Sequence, residues 1–155
     1  MNSYLEELGI TWEELYDMTK SEIKTLIRKY DTQIWEKDLK EKVILLYYRE
    51  GKGKMGYEIC YRNNINSMFL ARARLNSLRL EEAMGRGNRF HNKTCKLCKQ
   101  EDEDLLHFMI KCPCLERKRN YEILDKEIQE PRKRLIHCLF KQRKYQETGR
   151  MIKEM

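Results

Sequence analysis

The chain predicts a mainly α-helical fold, a small helical bundle with one compact Cys/His loop set into it. Three observations carry this. Two capping boxes, Thr11-Trp12-Glu13-Glu14 and Thr19-Lys20-Ser21-Glu22, open helices in close succession. Ile23, Leu26, Ile27, Tyr30 and Ile34, then Trp35, Leu39, Val43 and Leu46, form an apolar stripe at helical spacing with no Gly or Pro to interrupt it. Cys95, Cys98, His107 and Cys112 fall in the pattern C-x2-C-x8-H-x4-C, which suits a loop stapled by a metal ion.

Taken in order, residues 3–9 predict a short turn of helix and the first capping box a helix over about 12–18. The second box opens a long amphipathic helix over 20–49, with Asp31-Thr32 as the place for a kink or break. Val43 to Tyr48 is apolar all round, so that end is expected to be the most deeply buried. Gly51-Lys52-Gly53-Lys54-Met55-Gly56 reads as a helix-ending turn and basic linker. It lacks the G-x4-G-K-[ST] order of a nucleotide loop, and no strand precedes it. Tyr57–Tyr61 predicts a short strand or turn and Asn63-Asn64 a break; Ser67 then caps a helix carrying Met68, Phe69, Ala71, Leu75 and Leu78. Gly85-Arg86-Gly87-Asn88-Arg89 ends it and leads into the Cys/His pattern. Beyond Cys112 a helix is expected over about 115–129 with Ile123 and Ile128 inward. Pro131 opens the last helix, with Leu135, Ile136, Leu139 and Phe140 inward and a basic face of Arg132, Lys133, Lys141 and Lys144. Gln146 to Met155 is weakly apolar and is expected to fray or to pack on a missing neighbour.

The pattern predicts one structural Zn2+ held by Cys95, Cys98, His107 and Cys112. Cysteines three apart on a tight turn aim both sulfurs at one point, and His107 and Cys112 lie about one helical turn apart. Four protein ligands leave no open position for a catalytic water. Lys99 to Asp104 reads as the exposed turn between the halves, while Leu105, Leu106, Phe108, Met109 and Ile110 supply local core around His107. Cys114 is the one close competitor for the place of Cys112. The other two cysteines, Cys60 and Cys138, are isolated, and the six do not read as a disulfide framework.

At 155 residues a single domain, 1–155, is expected, in an acidic helical segment 1–50, a basic segment 51–115 with the metal motif and C-terminal helices 116–155. Residues 1–50 hold 8 Lys/Arg against 11 Asp/Glu, residues 51–100 hold 11 against 3, and residues 101–155 hold 13 against 11. The positive charge is therefore concentrated just ahead of and within the motif, where it suits a polyanion. Arg72, Arg74, Arg79, Arg86, Arg89, Lys93, Lys96, Lys99 and Lys111 are the candidates for contact with RNA or DNA. Phe90 and Leu97 could add stacking or apolar contact with unpaired bases, although core packing is the stronger expectation for Phe90. His91 reads as a surface histidine and His137 as a structural one.

The motif followed at once by Pro113 resembles the cysteine-histidine motif near the C-terminus of non-LTR (LINE-type) retrotransposon reverse transcriptases. The Arg- and Leu-rich run Leu70–Gly85, the His107-Phe108 and Cys112-Pro113 pairs and the helical tail from Arg134 are similar to the flanks of that motif, so the resemblance covers roughly 65–155. It implies a zinc-knuckle module that helps to hold template RNA or target DNA for a neighbouring polymerase, here as a detached or domesticated fragment. A reverse transcriptase or another protein is the further partner class it implies.

No polymerase aspartate pair is present, and Asp104 with Glu116-Arg117-Lys118 gives only a faint nuclease-like D…E-x-K without a β-rich core. Both acids read as solvated charges, no Ser/His/Asp or Cys/His catalytic grouping stands out, and the chain is not expected to be an enzyme. No signal segment opens the chain and no run approaches a membrane span, so no membrane partner and a reducing compartment, cytoplasm or nucleus, are expected. The rival class is a zinc-stabilised protein-interaction module docking through the acidic helix 20–49.

Overall fold

The computed structural model describes residues 2–56, 58, 64–141 and 144–155. Apart from Glu58, the turn expected at Tyr57–Tyr61, with Cys60, lies outside them, as do Asn63 and the side chain of Lys141. The fold is mainly α-helical as the sequence predicts, with no strand among the described residues. No helix among them is long and apolar enough to cross a membrane. Internal contacts divide the chain into two compact units, residues 1–43 and 44–155.

In the first unit α1 (Asn2–Leu8), α2 (Trp12–Asp17) and α3 (Lys20–Glu41) follow one another. Both capping boxes form. The Thr11 amide donates to the Glu14 carboxylate at 2.7 Å while the Glu14 amide donates to the Thr11 hydroxyl at 3.3 Å, and Thr19 and Glu22 repeat the arrangement. The Tyr30 hydroxyl donates to Glu7, tying α1 to α3. α3 runs unbroken through Asp31-Thr32, where its length allowed a kink or break, but contrary to expectation it stops at Glu41, where Lys42 turns extended and a 3-10 turn, Val43–Leu45, follows. Two β-branched side chains in succession, Val43 and Ile44, resist helix at that point. Val43 is 84 % exposed, so the apolar run is not the buried end that was expected; burial begins only at Tyr47 and Tyr48.

The second unit contains α4 (Leu46–Lys52), α5 (Ile65–Arg74), α6 (Glu81–Met84), the Cys/His segment, α7 (Tyr121–Leu124), α8 (Pro131–Ile136) and α9 (Tyr145–Glu154). Gly53, at φ +72°, ends α4 in the left-handed turn that glycine tolerates best. The cap of α5 is Asn64, whose side chain accepts from the Ser67 amide at 2.9 Å; Ser67, expected as the cap, is buried inside the helix and its hydroxyl accepts from Gln146 at 3.2 Å. The helix expected over 115–129 is broken. A 3-10 turn, Pro113–Lys118, and short α7 replace it, and Asp125 takes φ +49°. Pro131 stands in the first turn of α8 as expected, and a π turn, His137–Lys141, continues that helix.

The core joins Leu70, Ala73, Leu105, Met109, Ile123, Leu124, Leu135, Leu139, Met151 and Ile152. The C-terminal segment expected to fray or to pack on a missing neighbour is instead α9, packed on α5 more extensively than any other pair of the described elements. Gly149 makes this possible, because a Cβ there would lie 2.0 Å from the Asn66 backbone oxygen. Burial pushes the Cys138 thiol up to about 12, which keeps it a neutral core side chain.

Candidate metal centre

A minimal hairpin carries the first ligand pair. Thr94 and Asp102 form an antiparallel bridge, with the Cys95 amide donating to the Glu101 carbonyl at 2.9 Å and the Glu103 amide to the Lys93 carbonyl at 2.8 Å. Between these strands of single residues the chain turns through Cys95-Lys96-Leu97-Cys98, and Lys99 takes φ +59° to complete the reversal. The second pair sits on a helical turn that begins at Leu105. Asp104 caps it, accepting from the His107 amide at 2.6 Å. The turn widens to π spacing over His107–Lys111 and delivers Cys112 at its end.

These elements bring Cys95, Cys98, His107 and Cys112 together, with one ligand atom from each within 4.8 Å of the others. The Cys95 and Cys112 sulfurs are 3.9 Å apart, and the Cys98 sulfur lies 3.2 Å from His107 Nε2. A tetrahedral ion with sulfur bonds of about 2.3 Å needs sulfur–sulfur edges of about 3.8 Å, so the spacing suits one ion at the centre. Cys95, Cys112 and His107 are buried, and Leu115, Phe108 and Met155 pack around the group.

Backbone amides complete the sulfur environment. Those of Leu97 and Cys98 face Cys95, those of Gln100 and Glu101 face Cys98, and that of Cys114 faces Cys112. Led by the Gln100 amide, these donors bring the Cys98 thiol down to about 7, favouring thiolate. Burial dominates at Cys95 and Cys112 and pushes both thiols up. A cation would supply the charge that makes all three thiolates.

The surrounding shell was only partly legible. Glu101, expected only as part of an exposed turn, lies 3.4 Å from His107 Nδ1, where it orients the ring with Nε2 inward. Asp104, read as a solvated charge, is the cap already described. Arg119 went unnoticed in the sequence. It is buried, its Nε donates to the Met109 carbonyl at 2.9 Å and its Nη2 to the Cys112 carbonyl at 2.6 Å, so it fixes the end of the π turn that carries two ligands. Its only sequence signal is an arginine seven residues beyond the last ligand, which is no pattern at all. Cys114 is exposed and outside the cluster.

Comparison with known proteins found no matching family model, curated protein or solved structure. The chain's own surface therefore carries the remaining argument. Of the basic candidates, Arg72, Arg79, Arg89, Lys93 and Lys99 are exposed and have no ion-pair partner among the described residues. Arg86 pairs with Glu82 at 3.0 Å, Lys96 with Glu81 at 2.6 Å and Lys111 with Glu101 at 3.5 Å. Arg74 is placed differently from the expected surface role. It is buried, pairs with Glu58, donates to the Leu139 carbonyl at 2.7 Å and stacks 4.9 Å from the Phe140 ring centre. Tyr48 and Lys52 complete the same buried group around Glu58. Arg74 shares the buried face of Leu70 and Ala73, about 200° round α5 from Arg72, and on that face it meets Glu58 and the π turn at 137–141.

His91 is half-buried rather than free, with Nε2 2.9 Å from a Glu81 carboxylate oxygen. Phe90, expected foremost as core, is 97 % exposed. His137 is partly buried beside the core, and its Nδ1 has no hydrogen-bond partner among the described residues.

Proposed function

We propose that this chain is a zinc-stapled nucleic-acid-binding module similar to the C-terminal part of a LINE-type reverse transcriptase, acting as a detached or domesticated fragment without polymerase. Zn2+ is the ion that fits three thiolates and one imidazole in a compact tetrahedral site. Its role is to hold the fold: four protein ligands leave no position for a reacting water, so binding rather than catalysis is its contribution. Such a thiolate site suits a reducing compartment, cytoplasm or nucleus.

The observation that carries the binding reading is the charge on the loops around the cluster. Residues 85–99 contain five basic residues and no acidic one, and Arg89, Lys93 and Lys99 are exposed without ion-pair partners among the described residues. A loop stiffened by a metal can present such cations to phosphates at low entropic cost.

The test is a titration of the zinc-loaded chain against single-stranded RNA, duplex RNA and duplex DNA at two or more salt concentrations. Five free cations predict a log–log salt slope of about −3.5 on single strands, at roughly 0.7 per phosphate contact. Replacing Arg72 and Arg79 together by Ala should flatten that slope by about 1 to 1.5. Replacing Lys37 and Lys40 should leave it unchanged. Absence of binding at low salt would sink the reading. The alternative, a zinc-stabilised protein-interaction module, is favoured by the exposed Trp12, Tyr16 and Ile34 of the first unit and would then take its place.

A further inference from the structure

Phe90 is the most exposed large apolar side chain of the described residues, and burying it would ordinarily stabilise a fold. Its loop is nevertheless held in place on both sides. The Asn88 amide donates to the Gly85 carbonyl at 3.0 Å, the His91 amide to the Asn88 carbonyl at 3.2 Å, and the Phe90 amide to the Asn88 side chain at 3.0 Å. Gly87 supplies the left-handed turn at φ +83°. Gly85 has no side chain because the His91 ring lies against it, where a Cβ would be 2.7 Å from His91 Cδ2. That ring is bound to Glu81, a carboxylate only 4 % exposed, and the other oxygen of Glu81 takes Lys96 of the Cys-x2-Cys turn at 2.6 Å. One buried carboxylate thus ties the Phe90 loop to the metal centre. The burial the fold forgoes at Phe90 leaves an exposed aromatic ring on a hydrogen-bonded loop, between Arg89 and Lys93 in the chain, with no acidic residue in 85–99.

We infer that Phe90 is a stacking platform for an unpaired base, and that the ligand of this surface is single-stranded nucleic acid. The inference rests on the nucleic-acid reading above and narrows it. An aromatic face has little to offer a duplex, whose bases are already stacked, whereas an unpaired base presents a π-face whatever its sequence. The cations on either side match the phosphates that flank such a base. A purely apolar partner would leave those cations without counter-charge.

The experiment uses the full zinc-loaded chain with a fluorescent twelve-nucleotide single strand, as RNA and as DNA, and with the corresponding duplexes. Phe90→Ala should weaken single-strand binding about tenfold or more, as loss of one stacked base does, and leave duplex binding and the salt slope unchanged. Phe90→Trp should restore affinity, and its added fluorescence should be quenched by the single strand. Thermal unfolding of both variants should match the parent, since the ring is almost fully exposed. The RNA and DNA arms tell which sugar is preferred. If Phe90→Ala binds single strands as tightly as the parent while Arg89→Ala with Lys93→Ala weakens them, the platform is wrong and the nucleic-acid reading stands. If the parent binds no nucleic acid, both fall. If Phe90→Ala abolishes binding to vesicles containing phosphatidylserine but leaves oligonucleotide binding intact, the loop is a membrane contact and the platform is overturned.

Discussion

Gly149→Ala puts the packing of the second unit to a quantitative test. The new Cβ would lie 2.0 Å from the Asn66 oxygen, 2.6 Å from its carbonyl carbon and 3.1 Å from its Cα, all backbone atoms inside α5. No side-chain rotation can relieve this, so α9 must move until the carbon–oxygen contact reaches about 3.3 Å, a retreat of about 1.3 Å. Gaps of 0.5–1 Å already forfeit a quarter to a half of dispersion attraction. Here the gap opens beside Thr148, Met151 and Ile152, all buried, and strains the Gln146–Ser67 hydrogen bond. Overpacking of this kind costs about 2–4 kcal/mol, against a gain of roughly 1 kcal/mol from replacing a helical Gly by Ala. The expected net loss is therefore about 1–3 kcal/mol, read from urea unfolding of the second unit's signal, with a fall in Tm on the order of 5–10 °C. Gly56→Ala is the control, since nothing among the described residues lies within 4 Å of that Cβ. Equal or greater stability for Gly149→Ala would refute the close approach of α5 and α9.

Cys98→Ser, or removal of zinc by a chelator, should unfold residues 93–115 while α3 keeps its helicity, because structural zinc contributes on the order of 10 kcal/mol, comparable to a whole domain. Unchanged thermal unfolding would show that no metal stabilises the fold. Arg119→Met should lower zinc affinity about 10- to 100-fold without loss of helicity, by freeing the Met109 and Cys112 carbonyls, and Arg119→Lys should recover only part of it. A chelator competition that gives the parental Kd for both variants would remove Arg119 from the metal site. Zinc affinity should also fall as pH drops. With the zinc-free loop unfolded, all three thiols are protonated below the ordinary thiol range of about 8.5, and the ion displaces three protons. The apparent affinity should therefore fall about 1,000-fold per pH unit below that range, and a pH-independent affinity would exclude thiolate ligation.

The sequence by itself determined what depends on near neighbours. The boxes at Thr11 and Thr19 form because donor and acceptor are three residues apart, whatever the rest of the chain does. Cys95, Cys98, His107 and Cys112 were legible for the same reason: each pair lies on one tight turn, and only the closing of one short loop brings the pairs together. Tertiary structure decided what depends on elements far apart in the chain. Helical spacing already sets Arg74 on the face of Leu70 and Ala73, about 200° round α5 from Arg72, yet only tertiary structure supplies Glu58 and the Leu139 carbonyl as partners for a charge in the core. Residues 145–154 are weakly apolar on average but set Tyr145, Thr148, Met151 and Ile152 on one helical face, and a missing side chain at Gly149 lets that face meet the α5 backbone. Arg119 reaches back to carbonyls at 109 and 112, a partnership with no spacing rule. Phe90 stays outside, next to a His91 held by the buried carboxylate of Glu81, where hydrophobicity alone would have put it in the core.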